Sequence, residues 1–174
     1  MHKLPTILTL ALTSALAMQA QAAPPSTAPA KAGDNPDASF VQKAGEGGMA
    51  EVELSKLAEK SASSPAVRSF AGQMVQAHGA NNKELLNIAA HENIAPPKEL
   101  DSEHAALRDK LAAMKGAEFD RAYVEAMRND HQKMDDLLKS SQATVSTEEL
   151  RTFIKKTTPV VEAHLRMAQD LKVE

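Results

Sequence analysis

The chain has 174 residues, a formal net charge of −3 and no cysteine, which excludes disulfides, thiolate metal sites and a basic nucleic-acid-binding face. Aromatic residues are scarce, with four Phe, one Tyr and no Trp. Ala, Leu, Glu, Lys and Met are plentiful instead, a balance that predicts an all-α protein rather than a strand-rich one.

Residues 1–22 read as a cleaved export signal. Lys3 gives a weakly basic start, an uncharged stretch runs from Leu4 to Met18, and Ala20-Gln21-Ala22 has the small-x-small form of a signal-peptidase site. The apolar stretch falls short of the roughly 20 residues that span a bilayer. Cleavage would remove one Lys and no acid, leaving 19 basic against 23 acidic residues and a net charge of −4. No second long apolar run follows, so the mature chain is expected to lack a transmembrane segment and to be periplasmic or secreted. Residues 23–35, rich in Pro, Ala and small polar residues, read as a disordered linker. Residues 36–172 are left for one helical domain.

The first helix is predicted over about Pro36–Ser61, opened by Asn35 as cap and Pro36 in the first turn. Phe40, Ala44, Gly47, Glu51, Leu54 and Ala58 alternate steps of four and three and so share one face. Gly45, Gly47 and Gly48 interrupt it at about 1 kcal/mol each relative to Ala. Either they kink the helix or they admit a close neighbour, and the unbroken phase of the stripe favours the neighbour. The second helix, from Ser64-Pro65 to about Asn93, carries Val67, Ala71, Met74, His78, Asn82 and Leu85. A short helix over about Ser102–Lys115 bridges to the third. The third helix, about Ala117–Ser141, aligns Asp120, Val124, Met127, His131, Met134 and Leu138. The fourth is predicted to open with a capping box at Ser146-Thr147-Glu148-Glu149 and to run to Leu171, with a bend at Pro159. Its stripe is Leu150, Phe153, Thr157, Val160, His164, Ala168 and Leu171. Four long helices and one short one predict a bundle, and no hydropathy period indicates a repeat array.

Each long helix places one residue on its apolar face that a core would normally reject: Glu51, His78, His131 and His164. Together they predict a shared site at mid-bundle depth, either coordinating a metal or satisfying one another as a polar core network. Imidazole and carboxylate suit Zn, Cu, Ni or Fe. The di-iron carboxylate pattern needs Glu-x-x-His on two helices, whereas Val75, Arg128 and Val161 stand three before the three histidines. That argues against a ferroxidase. Met74, Met127, Met134 and Met167 accompany the histidines and read chiefly as core filler. Asp135, four after His131, is either an orienting partner of its ring or a surface acid. His91 and His104 read as exposed. No catalytic residue is assigned, since there is no cysteine nucleophile, no Gly-x-Ser-x-Gly elbow and no phosphate-cradling loop.

The segments FVQKAGEGGMAEVELSKLA, RSFAGQMVQAHGANNKELLNIA, GAEFDRAYVEAMRNDHQKM and TTPVVEAHLRMAQDL resemble a family of exported bacterial domains of unknown function. Its members are often labelled "putative outer membrane protein" and are placed in the ferritin-like superfamily. The resemblance implies a ferritin-like four-helix bundle with an additional short helix between helices 2 and 3. It places Glu51, His78, His131 and His164 in recurrent motifs, with Ala77 standing where an Asp commonly precedes the first His. The expectation is an exported protein of unsettled activity that holds a metal at these four residues, in envelope stress or metal handling, with a redox enzyme acting through that metal as a lesser reading. The alternative is a structural or interaction domain with a hydrogen-bonded core. No nucleic acid partner is expected, protein partners are unspecified, and an oligomer is compatible with the pattern.

Overall fold

The computed structural model describes residues 35–173; the predicted export signal and nearly all of the predicted linker lie outside them. Five helices and no strand occur among the described residues: α1 (Pro36–Ser61), α2 (Pro65–His91), α3 (Ser102–Ala112), α4 (Gly116–Ser141) and α5 (Glu148–Asp170). None is long and apolar enough to cross a membrane.

Local chemistry sets most of the boundaries. The Asn35 side chain accepts from the backbone N–H groups of Asp37 and Ala38, with Pro36 at the first helical position. Pro65 opens α2, and Asp101 caps α3 through the His104 N–H. Gly116 begins α4 at φ 62°, a conformation that costs a glycine little. The capping box expected for α5 does not form: Thr147 is the cap residue but makes no side-chain cap bond. Ser146 is drawn away to Asp37 instead. Pro159 does not interrupt α5. It is exposed, and so is Lys155 one turn before it, so the carbonyl that loses its helical partner lies on the solvent side.

The helices pack as two hairpins, α1 with α2 and α4 with α5, joined through α1–α4 and α2–α5 contacts, while α3 lies on α1 and α4. The hairpins are copies of one plan, offset by a constant 83 residues (37 to 120, 68 to 151). Asp120 at the start of α4 accepts from Ser63 N (2.9 Å), Ser63 Oγ (2.5 Å) and Ser64 N (2.7 Å) in the α1–α2 turn. Asp37 at the start of α1 accepts from Ser146 N (2.6 Å), Ser146 Oγ (2.7 Å) and Thr147 N (3.2 Å) in the α4–α5 turn. Arg68 donates to the carbonyls of Ala62 and Ser63, and Arg151 to those of Val145 and Ser146. Phe40 meets Phe153 edge-on at 6.3 Å and 67°, and their counterparts Tyr123 and Phe70 meet at 6.3 Å and 64°. Because each hairpin caps the turn of the other, the two are related by a pseudo-twofold axis, and α1 and α4 run antiparallel. The segment between α2 and α4 must therefore travel the length of the bundle, and α3 lies within it.

Two apolar clusters form, one around Leu54, Phe70, Met74, Phe119 and Tyr123, the other around Phe40, Leu85, Leu138, Phe153 and Ile154. Each fully buried Leu, Phe or Met contributes about 1.5–3 kcal/mol. The glycines of α1 admit close neighbours, as their phase indicated. A Cβ at Gly45 would stand 2.7 Å from Cγ of Pro97, and one at Gly48 would collide with Asn82. Pro97 is a rigid ring, whereas Asn82 can rotate. Gly45→Ala is therefore expected to cost about 1–2 kcal/mol in urea denaturation despite the better helix propensity of Ala. At Gly79 a Cβ meets nothing within 4 Å, and Gly79→Ala should stabilise by up to about 1 kcal/mol.

Candidate metal centre

Glu51 of α1, His78 of α2, His131 of α4 and His164 of α5 converge between the two apolar clusters, Glu51 and His131 with no solvent exposure at all. Helical spacing puts each on its buried stripe, and the hairpin pairing brings the stripes together. Glu51 Oε2 lies 2.8 Å from His78 Nδ1, and Oε1 lies 3.3 Å from His131 Nδ1. Close as they are, neither carboxylate oxygen completes an aligned hydrogen bond. His131 Nδ1 stands 2.8 Å from the Met127 carbonyl oxygen. On the other side of the rings, His78 Nε2 is 3.2 Å from His131 Nε2 and 3.2 Å from His164 Nδ1. One nitrogen from each of the three histidines falls within 4.8 Å of the others.

These contacts assign the protons. The Met127 carbonyl can only accept, so His131 Nδ1 carries its hydrogen and Nε2 of the neutral ring presents a lone pair. The Glu51 carboxylate, 2.8 Å from His78 Nδ1, favours a hydrogen on that nitrogen. His131 Nε2, left with its lone pair, then faces His78 Nε2 at 3.2 Å. Lone pairs do not rest at that distance unless a proton or a metal cation lies between them.

The electrostatics put charge at this centre. Burial pushes the Glu51 carboxyl up, but attraction to His78, His131 and His164 outweighs it and holds the group at about 2. Burial pulls His78 down, yet Glu51 prevails and raises it. For His131 burial wins over Glu51, and for His164 burial and the other two rings lower the group to about 4. Glu51 is therefore ionised in the core, and such a charge requires a cationic partner beside it.

The structure brings all four sequence candidates together, with Glu51 behind the Nδ1 edges of His78 and His131 and away from the cluster of converging nitrogens. Asp135 neither orients His131 nor lies on the surface: it is buried and accepts from Lys139 at 2.8 Å, and that lysine also reaches Glu162. His131 is oriented by the Met127 carbonyl, a partner that sequence cannot reveal because every residue carries one. His91 is exposed, as expected.

His104 is not exposed as its sequence position suggested. Its ring is only 13% accessible, with Nδ1 against Asp101 and Nε2 3.7 Å from Asp130. Asp130, opposed by burial and helped by Asp101, raises the imidazolium to about 9. A raised group stabilises fully below its unfolded value, about 6.5, and loses that contribution as pH rises through about 9. The stability difference between the wild type and His104→Gln should therefore be about 1–2 kcal/mol at pH 6, solvent screening allowed for, and should vanish by pH 10.

A family model described as "Domain of unknown function (DUF4142)" matches residues 22–171. The chain belongs to this family. Two solved structures share the fold. A DUF305 fragment from Deinococcus radiodurans superposes with a TM-score of 0.69 at 15% identity, over 82% of this chain and 96% of that one. The "putative secreted protein DUF305" from Streptomyces coelicolor gives 0.68 at 15% identity, over 79% and 90%. None of the curated proteins matches the chain. At such identities the likeness concerns the helical fold alone.

Proposed function

We propose that this DUF4142 protein binds one transition-metal ion through His78, His131 and His164, with Glu51 orienting His78 and balancing the charge from behind. The observation that carries the reading is the convergence of one nitrogen from each of the three buried rings, all within 4.8 Å of one another and the closest pairs 3.2 Å apart. Two imidazoles on one tetrahedral ion, at about 2.0–2.1 Å each, stand ~3.3 Å apart. Carboxylate behind histidine is also the usual outer support of a metal-bound imidazole. Zn, Cu, Ni and Fe all accept this donor set. The export signal read from residues 1–22, and the description of the Streptomyces coelicolor neighbour as a "putative secreted protein", support a role outside the cytoplasm, which we place in metal handling or envelope stress.

The second reading puts a proton where the metal would be. His78, raised by Glu51, would then be an imidazolium donating to both the carboxylate and a neighbouring ring, and the cluster would be a polar core of a structural domain. Elemental analysis of protein isolated natively from the exported fraction separates the two. About one ion per chain, lost in a folded His78→Ala/His131→Ala variant, is the expected result. Trace metal that is the same in wild type and variant sinks the metal reading.

A further inference from the structure

A groove of about 520 Å³ opens between α1, α3 and α4, and none of the four residues of the metal centre lines it. Its volume lies in the range of small-molecule sites, and Met134 and Leu137 give it an apolar floor. Charge surrounds that floor, and most of it is already matched. Lys133 reaches Glu103 at 2.8 Å, and His104 Nδ1 meets Asp101 at 2.5 Å. Glu46 accepts from Gln42 at 2.6 Å and Asp136 from Gln132 at 3.1 Å. Lys43 lines the groove too, but it is exposed. Asp130 is the exception. Its side chain is only 8% exposed, yet Oδ1 stands 3.7 Å from His104 Nε2, beyond hydrogen-bonding distance, and Oδ2 is buried with no partner. The plan of the hairpins does not call for this carboxylate: its counterpart 83 positions earlier is Gly47, on the same groove.

We propose that this groove is a binding site for a small aliphatic diamine, with one ammonium seated on Asp130. Its methylenes lie along Met134 and Leu137, and its second ammonium faces Asp136, which is exposed. Asp136 follows Asp130 by ~9 Å along the helix axis, a span that a four-carbon diamine covers with a hydrogen bond at each end. An ammonium gives Asp130 the donor it lacks, and charge-assisted bonds of that kind are the strong ones. A metal ion fits less well. His104, held as imidazolium between Asp101 and Asp130, has no lone pair to offer. Among the described residues, the histidine trio is the one group of three converging ligand atoms. The amine site does not depend on the metal reading.

Isothermal titration of the full mature chain with 1,4-diaminobutane at physiological salt provides the test. Wild type should take up one equivalent with a Kd of about 1 mM or tighter. Asp130→Asn, which keeps the shape and loses the charge, should bind at least about tenfold more weakly. Asp136→Asn, and the monoamine butylamine on wild type, should each lose several-fold. Equimolar Mg²⁺ should not displace the diamine, and chelator-treated protein should titrate like untreated protein. Absence of saturable heat in wild type overturns the proposal, as does a folded Asp130→Asn that titrates like wild type. If that variant fails to fold, unchanged affinity in Asp136→Asn overturns it. Displacement by Mg²⁺ would reveal only a diffuse acidic surface, and binding lost on chelation would put the amine on a metal ion. Either result overturns it too.

Discussion

Chelation of the metal from natively isolated protein is expected to lower its melting temperature by about 10 °C, and re-addition should restore it. A ligand at a thousand times its Kd stabilises by about 4.1 kcal/mol, and each kcal/mol moves the melting point of a domain this size by roughly 2–4 °C. The apo state is where the penalty is concentrated. Without the metal, Glu51 is a fully buried carboxylate facing only the imidazoles of His78 and His131, 2.8 and 3.3 Å away. Calorimetry with and without chelator would show the shift in wild type and its absence in His131→Ala. Glu51→Gln keeps the shape but not the charge, so it should retain the thermal response at metal concentrations raised about 10–100-fold. A melting point indifferent to chelator in metal-replete wild type would contradict the expectation. It would favour a proton at the centre.

Asp120→Ala and Asp37→Ala should each destabilise the protein by about 2–4 kcal/mol, a melting shift of roughly 6–12 °C. Each carboxylate accepts three hydrogen bonds from a turn of the opposite hairpin. Alanine leaves two backbone N–H groups of a partly buried turn without that acceptor. Hydrogen bonds to a charged acceptor are worth about 1.5–3 kcal/mol each, part of which water recovers at the turn. The pseudo-twofold relation adds a sharper expectation: the two variants should match within about 1 kcal/mol despite lying at opposite ends of the bundle. Their effects should also nearly add, because the sites share no partner. Chemical denaturation of the two single variants and the double variant measures both. A loss below about 0.5 kcal/mol at either site would show that the exchanged caps do not hold the hairpins together.

Much of the fold was legible residue by residue. The phase of Phe40, Ala44, Glu51, Leu54 and Ala58 announced one buried face, and the starts read at Asn35-Pro36, Ser64-Pro65 and Ser102 fall within a residue or two of the observed ones. The internal duplication was not legible, although it organises the molecule. Its halves share Asp37/Asp120, Arg68/Arg151 and Phe70/Phe153, but most other paired positions differ, so no hydropathy period betrays it. The capping box at Ser146 misled for the same reason. A local motif signalled a local bond, while a carboxylate 109 residues away offered a stronger acceptor.

The candidate site divides along the same line. Periodicity alone was enough to nominate Glu51, His78, His131 and His164, because a helix repeats every 3.6 residues and an ionisable group on its apolar face stands out without any knowledge of neighbours. It could also reject the Glu-x-x-His pattern. Which edge of each ring faces which partner depended on how four helices meet. The Met127 carbonyl that assigns the His131 proton, the carboxylate behind the rings and the groove that Asp130 lines are products of packing. So is the environment of His104, enclosed by Asp101 at the cap of α3 and Asp130 of α4. Residue identity follows the chain, but proton positions, charge balance and empty space arise from distances between chains of atoms far apart in sequence.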